Sequence, residues 1–288
     1  MNEYTFYADS SCDTPHELLQ EWGVRSIDLL FRFADSTVEY RNSDIPTSEF
    51  YHNLREGRDA KTSAINSETF REEFERQLRD GRDVLYIAFS SGLSTTYNSA
   101  RLAAKSLSEE YPERRIFVVD SLSASAGYGM LVYLTVQKLR AGATLEEAAH
   151  FAHDTRLRIC HWFTVDDLNF LKRGGRVSAA AALVGTALGI KPILHTDNEG
   201  HLTNMFNVRG RKRAIAALTK KLGELAEDIT SGPIFISHGD CIEDAEELAH
   251  QIKDEYGLDT DLITDVGPVI GSHSGPGTLA LFFVGRER

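Results

Sequence analysis

The chain has 288 residues, 42% of them hydrophobic and 26% charged, with a formal net charge of −12. That is the profile of a soluble globular protein large enough for two domains or one large one, and it argues against general nucleic-acid binding. No apolar run is long enough to span a bilayer, and the acidic start MNEYTFYADSS leads straight into a strand, so no signal peptide is visible. Cys12, Cys160 and Cys241 are far apart and form no C-x-x-C pair, which fits a reduced cytoplasm and no zinc site.

Residues 5–8 read as a first strand that exits into Asp9-Ser10-Ser11-Cys12-Asp13. Thr14-Pro15-His16-Glu17 predicts a capping box with proline at the first helical position, and the helix runs to about Trp22. Residues 24–33 and 37–40, split by Ala34-Asp35-Ser36, predict a strand and a hairpin partner. A short helix over residues 50–55 follows Pro46, and residues 61–66 read as a polar connection to a helix over 67–79.

The most informative stretch comes next. Residues 84–89 are a strand-length apolar run, and Ser90-Ser91-Gly92-Leu93-Ser94-Thr95-Thr96 then places five hydroxyls and a turn glycine in seven residues. Residues 97–111 have helical spacing. A strand running through a hydroxyl-rich turn into a helix N-terminus is a ready anion cradle, built from unpaired N–H groups, the helix dipole and the hydroxyls. The plainer alternative is that Ser94 or Thr95 only caps the helix.

Residues 116–119 form another strand, ending in Asp120-Ser121, followed by helices over 123–140 and from Thr144 to about Arg156. This alternation predicts a parallel sheet covered by helices on both faces. Three strand exits now carry the same chemistry: Asp9-Ser10-Ser11, Ser90-Ser91 and Asp120-Ser121. Ligands of open parallel sheets bind at such ends, so a site accounts for the repetition better than capping does.

After Arg158 the pattern changes. Residues 159–165 predict a strand, 166–172 a short helix stopped by Gly174-Gly175, and 179–188 a helix of small residues. Residues 190–195 and 202–208 flank Asp197-Asn198-Glu199-Gly200, a hairpin signal. Helices over 211–227 and 243–256 alternate with strands over 234–237, 261–264 and 278–284, the last two enclosing a loop from Gly271 to Gly277. The expected fold class is α/β with two α/β domains: residues 1–158 with a mostly parallel sheet, and residues 159–288 with a mixed sheet.

Gly92-Leu93-Ser94-Thr95-Thr96 begins like the nucleophile elbow of a serine hydrolase, with His238 and His273 downstream. The closing glycine of that elbow is threonine here, and no acid can be chosen among 43 acidic residues. Gly127-Tyr128-Gly129 is half a dinucleotide fingerprint inside a helix pattern. Lys172-Arg173-Gly174-Gly175-Arg176 and Arg209-Gly210-Arg211-Lys212-Arg213 hold seven of the 31 cationic residues. They read either as a solvated surface or as a dock for an anionic group or acidic partner. The small-residue run reads as close helix packing or as the thin wall of a tunnel.

Asp9-Ser10-Ser11-Cys12-Asp13, Lys61-Thr62-Ser63, Ser90-Ser91-Gly92-Leu93-Ser94, Phe163-Thr164-Val165-Asp166-Asp167-Leu168 with Leu171-Lys172-Arg173-Gly174-Gly175-Arg176, and His273 with Gly275-Pro276-Gly277 together resemble the DegV family, in order and over nearly the whole chain. Its characterised members are bacterial fatty-acid-binding proteins of the type called FakB. They present a bound acyl chain to a separate ATP-dependent fatty acid kinase, which phosphorylates the carboxylate to an acyl phosphate.

The resemblance implies two α/β domains, a buried acyl chain, and carboxylate contacts at Thr62, Ser94 and His273. Ser63, Thr95 and Ser121 complete the expected ligand-binding set, and Arg173, Arg176 and Arg209 the partner-facing one. The family's threonine-serine pair is usually followed by glutamine and proline, here by Ala64-Ile65, which bears on the pocket mouth. The glycine usual after the anion-loop serine is Thr95, which adds a hydroxyl at the carboxylate. The expectation is a cytoplasmic lipid carrier without catalytic residues, metal or cofactor, its ligand a long-chain fatty acid, with no nucleic acid and at most transient membrane contact. The competing classes are a serine hydrolase using Ser94 and a downstream histidine, and a module binding another small anion.

Overall fold

The computed structural model describes residues 4–178, 189–230 and 232–288. The expectations for residues 179–188 lie outside the described residues. The chain opens with Tyr4–Asp9 (β1), buried from its second residue on, and a 3-10 turn leads to His16–Trp22 (α1). Val24–Ile27 (β2) returns parallel to β1. Leu30–Phe33 (β3) leaves this sheet and, after Thr47–Arg55 (α2), pairs antiparallel with Ala60–Ser63 (β4). Ser67–Arg79 (α3) leads into Asp83–Ala88 (β5), and Thr96–Glu110 (α4) into Ile116–Asp120 (β6).

The first sheet has the order β2-β1-β5-β6 and is parallel throughout. Strand order reverses between β1 and β5, and the crevice beyond the strand ends at such a reversal is the usual ligand position. Asp9 fastens that point. Its buried carboxylate accepts from Phe89 N–H at 3.0 Å, Tyr86 Oη at 2.6 Å and Ser11 N–H at 3.1 Å. The Asp-Ser-Ser exit of β1 thereby sets where the hydroxyl loop after β5 begins.

Ser125–Arg140 (α5) and Leu145–Thr155 (α6) follow, the latter opened by a Thr144/Glu147 capping box. α5 packs against α6 on one side and against the second sheet on the other. Gly127 and Gly129 make this close fit possible: a Cβ on Gly127 would overlap the His161 ring, and one on Gly129 would overlap the Thr14 hydroxyl.

The second sheet is built from Ile159–Thr164 (β7), Ile190–Thr196 (β8), Leu202–Arg209 (β9), Phe235–His238 (β10), Leu262–Asp265 (β11) and Leu279–Val284 (β12). Its order is β11-β10-β12-β7-β8-β9, with β10 and β11 parallel and the other neighbours antiparallel, hence the mixed sheet expected. Leu168–Arg173 (α7), Arg211–Leu225 (α8), Ile242–Tyr256 (α9) and Pro268–Ser274 (α10) complete the described helices. Period-two alternation divides the strands between two cores. Cys160, Trp162, Ile193, Leu281 and Phe283 pack with α8 and α9, whereas Phe163, Ala280 and Phe282 join the large cluster that also contains the first sheet.

Four local expectations are corrected. Residues 60–63 form β4 rather than a polar connection, because a half-exposed ribbon strand needs no apolar period. Residues 37–40 supply only an isolated bridge from Tyr40 to Phe31. The loop expected from Gly271 to Gly277 is partly α10, started by Pro268 at its first turn. The capping box at Thr14 does not form, since the Thr14 hydroxyl turns to the Cys12 carbonyl at 3.3 Å beside Gly129.

Candidate ligand-binding site

A cavity of about 440 Å³ lies between the hydroxyl loop, β4, α10, the Leu171–Arg176 segment and the inner face of the second sheet. That is within the roughly 300–1,000 Å³ typical of small-molecule sites. Most of its wall is apolar, with Phe89, Leu93, Phe163, Leu171, Val269 and Phe282 prominent. Polar groups gather in two places. Thr62, Ser91, Ser94, Thr95, Arg176 and His273 line the part where residues are half-buried or exposed, which is the mouth. Ser125, His161, Thr196 and Ser237 line the fully buried interior.

At the mouth, the Thr62 hydroxyl and His273 Nε2 are 2.8 Å apart, joining β4 to α10. His273 Nδ1 tucks against the bare Cα of Gly174, where any Cβ would overlap it. Burial, reinforced by the Arg176 guanidinium, pulls the His273 imidazole down to about 4, so it is neutral at physiological pH. The positive charge at the mouth therefore comes from Arg176. This side chain is half-buried, with Nε donating to Leu93 O at 3.2 Å and Nη1 donating to Gly174 O. Burial lowers its own pKa from the usual arginine value.

The hydroxyl loop is more self-satisfied than a plain helix N-terminus. N–H groups of Leu93 and Ser94 donate to Ser90 O, both at 3.1 Å; that of Gly92 donates to Ser90 Oγ at 3.2 Å and that of Ser91 to Asp120 Oδ1 at 3.1 Å. Ser94 Oγ accepts from Thr96 N–H at 3.2 Å and lies 2.9 Å from Thr96 Oγ1. What the loop turns toward a ligand is thus chiefly hydroxyls rather than the row of free N–H groups expected. The hairpin tip of β8 and β9 rests on it: Ser90 Oγ donates to Gly200 O at 2.9 Å, and a Cβ on Gly92 would fall 2.8 Å from Gly200 O. Arg288 fastens the same tip, its Nη1 donating to Asp197 O at 3.1 Å and Leu122 O at 2.7 Å.

In the interior, Ser125 Oγ is 2.5 Å from Asp13 Oδ2 and 3.0 Å from Ser237 Oγ. Burial raises the Asp13 carboxyl to about 8. Asp13 and Ser125 both hold left-handed backbone, φ 48° and 51°, which is strained for non-glycine residues.

Of the residues expected to bind ligand, Thr62, Ser94, Thr95 and His273 line one mouth. Ser63 does not line the cavity: strand alternation turns it to the outer side of β4, where its hydroxyl donates to Glu39 at 3.2 Å. Ser121 also misses it, being buried in a turn with Oγ donating to Ser123 O at 3.2 Å and accepting from Ser123 N–H at 3.1 Å. Arg176, expected to face a partner, is part of the cavity wall. Arg173 is half-exposed, paired with Asp59 at 2.6 Å and set over the Phe170 ring. Arg209 is exposed at the end of β9.

The hydrolase geometry is not assembled. Ser94 Oγ bonds Thr96 and His273 Nε2 bonds Thr62, while His238 lies in a separate cleft, 3.5 Å from Asp265. Among the described residues no group of three or more His, Cys, Asp or Glu is placed to hold a metal ion, and no helix is long and apolar enough to cross a membrane.

Sequence and structural comparisons agree with this architecture. The family model of the DegV family of uncharacterised proteins matches residues 7–286. A DegV domain-containing protein of Clostridium perfringens is 39% identical, covering 100% of this chain and 99% of its own length. One from Lactococcus lactis is 36% identical over 99% of this chain and 98% of its own. Among solved structures, a DegV family protein of Thermus thermophilus, described for its fatty-acid binding, superposes with a TM-score of 0.87 at 31% identity, covering 98% of this chain and 99% of its own. A DegV lipid-binding protein of Thermotoga maritima gives 0.85 at 30% identity, with 100% of both chains covered. This chain belongs to the DegV family.

Proposed function

We propose that this protein binds a long-chain fatty acid, with the acyl chain inside the cavity and the carboxylate at its mouth. The observation that carries this reading is the cavity's largely apolar wall leading to a polar mouth where Thr62, Ser94, Thr95, His273 and Arg176 converge. Hydroxyls can donate to a carboxylate, and charge-assisted bonds from a guanidinium are the stronger ones. The chain supplies most of the affinity, about 0.8 kcal/mol per buried methylene before association costs are subtracted. Fatty-acid and lipid binding in the Thermus and Thermotoga relatives supports the same reading.

In this role the protein performs no chemistry on its ligand. It shields the tail in the cytoplasm and offers the head group to an ATP-dependent fatty acid kinase, which makes the acyl phosphate. The exposed Arg173 and Arg209 are the residues we assign to that encounter. Native mass spectrometry of the purified protein is the test. A retained mass equal to a long-chain fatty acid, exchangeable for added oleate, is expected. An empty protein that takes up no fatty acid after delipidation, or that hydrolyses an ester reporter, would sink the proposal.

A further inference from the structure

Arg288 does not line the cavity, yet all three nitrogens of its guanidinium donate to the structure around the mouth. Nε donates to Ile159 O at 3.1 Å, and Nη2 donates to Arg156 O and, at 3.1 Å, to Ser123 Oγ. Nη1 donates to Leu122 O at 2.7 Å and to Asp197 O at 3.1 Å. A guanidinium holds its N–H groups in one rigid plane, and here each of them meets an oxygen. Burial pulls its pKa down to about 10, which leaves it charged at neutral pH.

These acceptors belong to segments that meet at the base of the hydroxyl loop. Leu122 and Ser123 lie in the turn after β6, and that turn carries the loop: Ser90 N–H donates to Ser123 O and Ser91 N–H to Asp120 Oδ1, both at 3.1 Å. Asp197 lies in the tip between β8 and β9, where Gly200 O accepts from Ser90 Oγ at 2.9 Å and a Cβ on Gly200 would overlap that hydroxyl. Ser90 is thus held from both sides, and one nitrogen of Arg288, Nη1, ties the two sides together. Leu122 sits there with φ 50°, left-handed backbone that persists only where the surroundings over-determine it.

The loop that begins at Ser90 brings Ser91, Ser94 and Thr95 to the cavity mouth. Hydrogen bonds weaken steeply when distance or angle is wrong, so recognition of a head group depends on where the loop base sits. Tail burial is non-directional and follows the apolar area removed from water. A small shift of the loop therefore harms the first far more than the second.

Resting on the fatty-acid reading above, we propose that Arg288 is a positioning residue for the ligand's carboxylate. It does not touch the ligand; it fixes the hydroxyl loop by clamping the turn after β6 to the tip between β8 and β9.

The experiment compares delipidated full-length wild type, Arg288→Met and Arg288→Lys, each titrated with oleate and with oleyl alcohol, which has the same tail without the carboxylate. Arg288→Met should lose about tenfold in oleate affinity and less than about twofold in affinity for the alcohol. Arg288→Lys keeps the charge but not the planar fork, and should show the same split at smaller size. An equal loss on both ligands marks a general packing role and overturns the proposal, as does unchanged oleate affinity. Should Arg288→Met fail to fold, the oleate-to-alcohol ratio of Arg288→Lys decides, and a wild-type ratio overturns the proposal. If the wild type binds neither ligand, the fatty-acid reading itself fails.

Discussion

The Thr62 hydroxyl and His273 Nε2, 2.8 Å apart, close the cavity mouth between a ribbon strand of the first half of the chain and a short helix of the second. Neither partner is charged, because His273 titrates at about 4. The mouth therefore joins a neutral hydrogen-bonding pair to one guanidinium, that of Arg176. A carboxylate can be held there without a second buried cation.

Ser94→Ala removes one hydroxyl from the mouth without disturbing a core residue. Fatty-acid affinity, measured by calorimetry on delipidated protein, should fall by roughly 1.5–3 kcal/mol. Ser63→Ala, on the outer side of β4, should change it by less than about 0.5 kcal/mol. Equal losses in both variants would contradict the alternation of Thr62 and Ser63.

Arg176→Ala and Arg209→Ala should separate binding from delivery. Arg176 lies in the cavity wall, so its removal should lower lipid occupancy, again by roughly 1.5–3 kcal/mol for a charged hydrogen bond. Arg209 is exposed, so Arg209→Ala should keep normal occupancy but slow phosphorylation by the kinase. The wild-type rate should also fall with added salt, because charge pairs across an interface mainly steer association. Normal turnover of loaded Arg209→Ala would exclude it from the encounter.

Gly174→Ala tests the mouth geometry from a residue that contributes no polar side chain. Its φ of −69° suits alanine, so the cost is steric: the added Cβ overlaps His273 Nδ1. The imidazole must move away and release Thr62. We expect about a tenfold loss of fatty-acid affinity with unchanged far-ultraviolet circular dichroism. Wild-type affinity would mean that the Thr62–His273 bond is dispensable.

Asp13→Asn should remove a pH-dependent burden on stability. With the folded carboxyl at about 8 against an ordinary 3.8, the folded protein holds a proton through a window where the unfolded chain has lost it. Stability then falls as pH rises through that window. His273 has the opposite sign, costing stability as pH drops from 6.5 toward 4. Comparison above about pH 6.5 isolates Asp13. The melting temperature of Asp13→Asn should exceed the wild-type value by a margin that widens toward pH 8, about 2–4 °C for each kcal/mol recovered. A constant margin would show that Asp13 is ionised when folded.

The α/β class, the parallel first sheet, the hairpin at Asp197–Gly200 and the hydroxyl loop after β5 could be read directly from the chain. Each depends on local period, turn chemistry or a cap, and those are properties of neighbours in sequence. The hydroxyl-rich exit of β5 lies at the end of the first sheet that borders the cavity. Tertiary structure decided which hydroxyls face the cavity. Thr62 and Ser63 are adjacent and alike in chemistry, and only the pairing of β4 with β3 turns one inward and the other outward. Ser121 has the same strand-exit signature as Ser90, yet its turn closes on Ser123. Arg176 reads as a surface cation until Leu93 and Gly174 receive its guanidinium at the cavity mouth. Composition and period specify which elements form, but a cavity is lined by residues from distant elements, and their meeting is fixed by packing across the whole chain.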